Sequence, residues 1–65
     1  MQGTAEATPT EWLSPQQIAN ELGITVRTYY EWRTKGKAPR ALRIGKHLRT
    51  SRADFDSWIE ERRER

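Results

Sequence analysis

Ser14-Pro15-Gln16-Gln17-Ile18-Ala19-Asn20-Glu21-Leu22-Gly23-Ile24-Thr25-Val26-Arg27-Thr28-Tyr29-Tyr30-Glu31-Trp32-Arg33-Thr34-Lys35-Gly36 holds two helix starts and two helix stops within 23 residues. Ser14 is a capping residue, Pro15 suits the first helical position, and Gln17 completes a Ser-x-x-Gln capping box. Ile18, Ala19 and Leu22 then recur at helical spacing, and Gly23 offers a left-handed stop. A first helix is therefore expected over Pro15–Leu22. Ile24-Thr25 leads straight into a second, with Thr25 as its cap. Tyr29 and Trp32 share its inward face beside Val26 or Ile24, while Arg27, Thr28, Tyr30, Glu31 and Thr34 line the rest. Lys35-Gly36 closes it with a cation and a glycine, as the helix dipole and the chain reversal favour. Two short helices joined by so tight a corner, the second presenting long polar side chains, make a helix-turn-helix pattern.

Outward from this stretch, the loop Lys37-Ala38-Pro39-Arg40 precedes a change of period. Leu42 and Ile44 alternate with Arg43, Gly45-Lys46 occupies a turn, and Leu48 and Thr50 alternate with His47 and Arg49. This predicts a two-stranded hairpin with Leu42, Ile44 and Leu48 inward and Arg43, His47 and Arg49 outward. A lone hairpin is marginal in water, so it must pack on the helices. Ser51-Arg52-Ala53-Asp54 opens a last helix with a second capping box, and Phe55, Trp58 and Ile59 give it an apolar stripe. The expected fold is mostly α with a small β-hairpin, a minimal winged helix-turn-helix in the order helix-helix-hairpin-helix. Residues 1–10 read as a disordered tail, 11–60 as the domain, and 61–65 as a charged, frayed end. Trp12, just ahead of the first cap, suits a hydrophobic staple.

With 65 residues and no cysteine, stability must come from packing, and Trp12, Trp32 and Trp58 offer the largest apolar surfaces. No apolar run reaches the roughly 20 residues that span a bilayer, and no signal-peptide pattern is present, so a cytoplasmic, nucleoid-associated protein without membrane contact is expected. The net charge of +3 is unevenly placed. Residues 1–24 carry −3 and residues 53–65 carry −2, whereas residues 25–52 hold nine Lys and Arg against Glu31 alone. Charge gathered on a helix-turn-helix pattern is the footprint of a polyanion-binding surface; the alternative is a solvated basic face.

Nothing in the chain assembles a catalytic site. There is one histidine and no cysteine, Asp54 and Asp56 diverge on a helix, and no glycine-rich phosphate loop occurs. No catalytic residue, metal site or cofactor is expected.

The ordered set Leu13-Ser14-Pro15, Ile18-Ala19, Leu22-Gly23-Ile24, Thr28-Tyr29-Tyr30-Glu31-Trp32, Gly36-Lys37-Ala38-Pro39, Arg43-Ile44-Gly45 and Asp54-Phe55-x-x-Trp58-Ile59 resembles the excisionase-like branch of the MerR-type winged-helix proteins. The resemblance spans Leu13 to Ile59. It implies a second helix that reads DNA, a hairpin that serves as the wing, and double-stranded DNA of a prokaryote, phage or mobile element as ligand. It further implies excisionases, also called recombination directionality factors, which bend attachment-site DNA and recruit an integrase (a tyrosine or serine recombinase), with further copies on adjacent sites. Small phage or plasmid transcriptional regulators share the pattern. Tyr29 departs from it by standing where an aliphatic residue is commoner, and Thr50 by standing where a large apolar one is usual. The long dimerisation helix of the effector-sensing members is missing, which argues against a sensor built from this chain alone.

Several side chains are candidates for the DNA contact. Arg27, in the first turn of the second helix, can bond a guanine through O6 and N7, or instead a phosphate. Thr28 can meet a phosphate or a thymine methyl, or bond its own backbone. Glu31, a lone acid in a basic stretch, suits either a cytosine amino group or an i, i+4 pair with Arg27. Tyr30, Arg33, Lys35, Lys37 and Arg40 suit phosphates, with Arg33 alternatively laying its stem over the core. At the wing, Arg43, Lys46, His47 and Arg49 suit a minor groove, while Arg49 has an alternative partner in Asp54 or Asp56. A reading from another class remains, in which the basic surface is an adaptor for an acidic protein.

Overall fold

The computed structural model describes residues 10–64, so apart from Thr10 the expected N-terminal tail lies outside the described residues. The elements run β1 (Trp12–Leu13), α1 (Pro15–Leu22), α2 (Val26–Thr34), β2 (Leu42–Ile44), β3 (His47–Ser51) and α3 (Arg52–Glu61). Three helices and a small antiparallel sheet thus make a minimal winged helix-turn-helix.

Local capping chemistry sets the helix starts. The Gln17 N–H donates to Ser14 Oγ at 3.2 Å and the Ser14 N–H donates to Gln17 Oε1 at 2.8 Å, so both arms of the first capping box are made. Gly23 ends α1 at φ 71°, a left-handed conformation in which a Cβ would be strained. The Thr28 N–H donates to Thr25 Oγ1 at 3.1 Å, and the Asp54 N–H donates to Ser51 Oγ at 3.1 Å.

Leu13, Ile18, Tyr29 and Phe55 form the core, with Leu22, Ile24, Ala38, Trp58 and Ile59 packed against it. Tyr29, the ring in place of an aliphatic residue, is wholly buried, and its burial pushes the phenol pKa up. The loop after α2 is pinned rather than free. Trp58 Nε1 donates to the Lys37 carbonyl at 2.9 Å, and the Lys37 N–H donates to the Trp32 carbonyl at 2.8 Å. Arg62 also joins this corner, its guanidinium 4.4 Å from the Trp58 ring centroid.

The sheet has three strands in the order β1-β3-β2, one more than the hairpin expected. Trp12 and Leu13 pair with Ser51 and Thr50, so the residues ahead of the first cap form an edge strand. This pairing joins residues nearly 40 positions apart, beyond the reach of a local pattern. Its face puts Leu13 and Thr50 together in the core.

The same register corrects the expected faces of the hairpin. Ile44 pairs with His47 and Leu42 with Arg49, whereas Leu48 pairs with Arg43. Directly paired residues project to the same side of a sheet. Leu42 and Ile44 therefore share the outer face with His47 and Arg49, while Leu48, with Arg43, takes the face of the buried Thr50. A two-residue turn forces this result, because it makes Ile44 and Leu48 differ by an odd step in the ladder.

Thr50 is buried, and its hydroxyl has no hydrogen-bond partner among the described residues. An unpaired buried hydroxyl costs about 1–3 kcal/mol, and valine has nearly the same shape without it. Thr50→Val is expected to raise the melting temperature by about 4–8 °C per kcal/mol recovered, read by circular dichroism. A lower melting temperature would mean that the hydroxyl is satisfied in solution.

Arg52 closes the fold electrostatically. Its Nη2 lies 2.6 Å from Glu21 Oε2 and 3.3 Å from Glu11 Oε2, and its Nη1 lies 3.7 Å from Asp56 Oδ1. One arginine thereby ties the approach to β1 and the end of α1 to the start of α3. Arg52 hydrogen bonds hold the Glu21 carboxyl below its ordinary value of 4.5, outweighing the opposing effect of burial. A depressed acid pKa contributes stability above the unfolded value, and that stability is lost as pH falls through the folded one. The melting-temperature gap between wild type and Arg52→Met should therefore be widest near neutral pH and narrow below 4.5. A gap independent of pH would assign the role of Arg52 to packing over Phe55, whose ring centroid lies 5.7 Å from its guanidinium.

Candidate nucleic-acid interface

Nine residues of α2 divide cleanly by exposure. Tyr29 is buried, Val26, Thr28, Trp32 and Arg33 are half-buried, and Arg27, Tyr30, Glu31 and Thr34 are exposed. At 3.6 residues per turn, positions 27, 30, 31 and 34 stack along one stripe, opposite Tyr29. Burial of Tyr29 and Trp32 thus decides which polar side chains face outward.

On that stripe Arg27 Nε sits 3.7 Å from Glu31 Oε2, the expected i, i+4 pair. The Arg27 side chain stays 88% accessible, so the pair leaves most of the guanidinium free. Exposed pairs of this kind contribute only about 0.3–0.5 kcal/mol to a helix, so the pair biases the Arg27 side chain without fixing it. Tyr30 lies edge-on to Tyr29, with ring centroids 5.2 Å apart, and its own ring remains in solvent. Thr28 sits at the margin of the stripe. Its hydroxyl is 3.1 Å from that of Thr25, which ties it to the start of the helix.

Arg33 lies on the inward flank, close enough to the Tyr29 hydroxyl to oppose the effect of burial on that phenol. This is the core-covering position weighed for it. Lys35 caps α2, and Lys37 and Arg40 follow in the loop, all three exposed. The loop's hydrogen bonds to Trp58 and Trp32 give Lys37 a fixed base just past the end of the helix.

On the wing, Arg43, Lys46 and His47 are exposed. Gly45 takes φ 62°, which lets the two-residue turn close. Arg49 is half-buried and its Nη1 donates to the Leu48 carbonyl at 2.6 Å, not to Asp54 or Asp56. Asp56 instead faces Arg52. Arg52 belongs to the basic block in sequence, yet in space it is engaged by three carboxylates, those of Glu11, Glu21 and Asp56. The residues overlooked in sequence are Leu42 and Ile44, which stand on the exposed face of the wing. The parity of the turn was the signal that could have found them.

Among the described residues, no helix is long and apolar enough to cross a membrane. A model of the helix-turn-helix domain matches residues 12–63, from β1 to just beyond α3. No curated protein matches the chain.

Proposed function

Because the chain belongs to the helix-turn-helix domain family and is a DNA-binding module of that kind, we propose that it reads double-stranded DNA through α2 and the wing as an excisionase. In this reading α2 lies in the major groove, with Arg27 and Glu31 at base edges and Thr28 beside them. Tyr30, Lys35, Lys37 and Arg40 meet phosphates, and Arg43, Lys46, His47 and Arg49 meet the neighbouring minor groove.

The observation that carries the proposal is the outward stripe of α2. Its long side chains project from a helix whose opposite face is sealed by Tyr29, and the cations of the following loop continue from its end. Base-edge contacts need such a rigid platform, because sequence is read by hydrogen bonds whereas phosphate contacts only set register. The excisionase role rests on the resemblance of the ordered motifs Leu13 to Ile59. Copies on adjacent sites would bend attachment-site DNA and favour an integrase in the excision direction.

Two measurements test the two levels separately. Binding to a duplex selected from a random pool, against its scrambled counterpart at two salt concentrations, tests sequence reading. Each phosphate neutralised contributes about −0.9 to the slope of log affinity against log salt. Equal affinity for both duplexes would favour a sequence-blind basic surface. Excision in vitro with an integrase encoded beside this gene tests the biological role; binding that leaves excision unchanged but represses a nearby promoter would assign a transcriptional regulator.

A further inference from the structure

Leu42 and Ile44 are 51% and 53% exposed, in a chain whose mean hydropathy is −1.03. Scattered exposed aliphatics need no explanation, but these two stand side by side on one face of a three-residue strand. Trp12 shares that sheet face at 42% exposure, although it lies on the far edge strand, away from the hairpin's end. Ile44 is the last strand residue before the turn, so it stands at the protruding tip.

The charges around that tip narrow the partner. Residues 32–53 contain no acidic side chain. Arg43 projects on the face opposite Ile44, His47 projects beside Ile44, and Lys46 occupies the turn, all three exposed. Arg43 and Lys46 bring positive charge and His47 an imidazole N–H, so hydrogen-bond donors on both faces of the tip suit a ligand with anionic acceptors on two walls and apolar surface between them. A minor groove takes this form when a step opens: phosphates line both sides, it is about 6 Å wide, base edges form its floor, and the apolar base faces lie between unstacked pairs. A flat acidic protein surface would meet only one face of the tip.

We propose that the wing tip is a wedge for the minor groove, with Ile44 entering a base-pair step and Leu42 backing it. Isoleucine and leucine are among the side chains that partially unstack such steps, and they kink the duplex by about 20–90°. Arg43, Lys46 and His47 would hold the phosphates on either side while the step opens. This assigns the bend to a defined contact, and it rests on the reading of the chain as a double-stranded DNA binder.

The selected duplex serves as the probe, end-labelled for energy transfer and carrying 2-aminopurine at successive positions. The wild-type protein is expected to bend it and to raise the fluorescence of one 2-aminopurine, the mark of an unstacked step. Ile44→Ala should abolish that rise and straighten the duplex while keeping the same preferred sequence and salt slope, and Ile44→Met should restore both signals. Circular dichroism of each variant checks that the exposed position leaves the fold intact. An unchanged bend and fluorescence with Ile44→Ala would overturn the wedge. So would loss of self-association by Ile44→Ala in sedimentation without DNA, which would make the face a contact between copies. Failure of the wild type to select any duplex would instead remove the DNA-reading function itself.

Discussion

Phe55→Ala is expected to remove from about a third to all of the fold's stability at 25 °C. Phe55 is wholly buried, stacks on Trp58 with ring centroids 6.1 Å apart, and lies beneath the Arg52 guanidinium. Truncating a buried phenylalanine removes about 3–5 kcal/mol, through lost transfer energy and the cavity left behind. A chain of 65 residues commands a total stability of only about 3–10 kcal/mol at the usual 0.05–0.15 per residue. With no disulfide available, nothing else compensates. Urea titration followed by tryptophan fluorescence and circular dichroism would read the loss, and Phe55→Leu, which keeps most of the volume, should lose clearly less. A Phe55→Ala midpoint close to wild type would mean that α3 does not anchor the core.

Arg27→Ala is expected to erase much of the preference between a selected duplex and its scrambled form. A bidentate arginine–guanine contact discriminates by about 1–3 kcal/mol, so specific affinity should fall by about 5- to 150-fold while binding to scrambled DNA changes little. Lys35→Ala supplies the contrast. A phosphate contact carries no sequence information, so its loss should weaken both duplexes alike and flatten the salt slope by about 0.9. The two variants fold alike, since Arg27 is exposed and Lys35 is a solvent-facing cap. If both weaken binding evenly with no change in preference, α2 does not read bases and a basic adaptor surface becomes the better account. Glu31→Gln refines the result: a role in orienting Arg27 predicts a partial version of the Arg27→Ala phenotype.

Much of the architecture was legible because it is written in short-range chemistry. The Ser14, Thr25 and Ser51 caps act on N–H groups three residues away, and all three helices begin where these caps place them. The outward stripe of α2 follows from the period of Tyr29 and Trp32. The Arg27–Glu31 pair follows from i, i+4 spacing on one helix. The wing's faces were misread for a different reason. Counting three aliphatics inward overrode the turn's parity, although Ile44 and Leu48 cannot share a face across a two-residue turn.

By itself, then, the sequence determined the helices, the corner between α1 and α2, the position of the hairpin and the block of positive charge. Only the tertiary structure decided how β1 joins the sheet, that Thr50 is sealed with an unpaired hydroxyl, and that Arg52 leaves the basic surface for Glu11 and Glu21. The turn's parity sets Leu42 and Ile44 on the face opposite Leu48, and the closed core decided that this face is the one left in solvent. The physical reason is range. A cap or a helical stripe is specified by neighbours within one turn, whereas strand pairing and the Arg52 contacts depend on partners about 30 to 40 residues away, brought together only when the core closes.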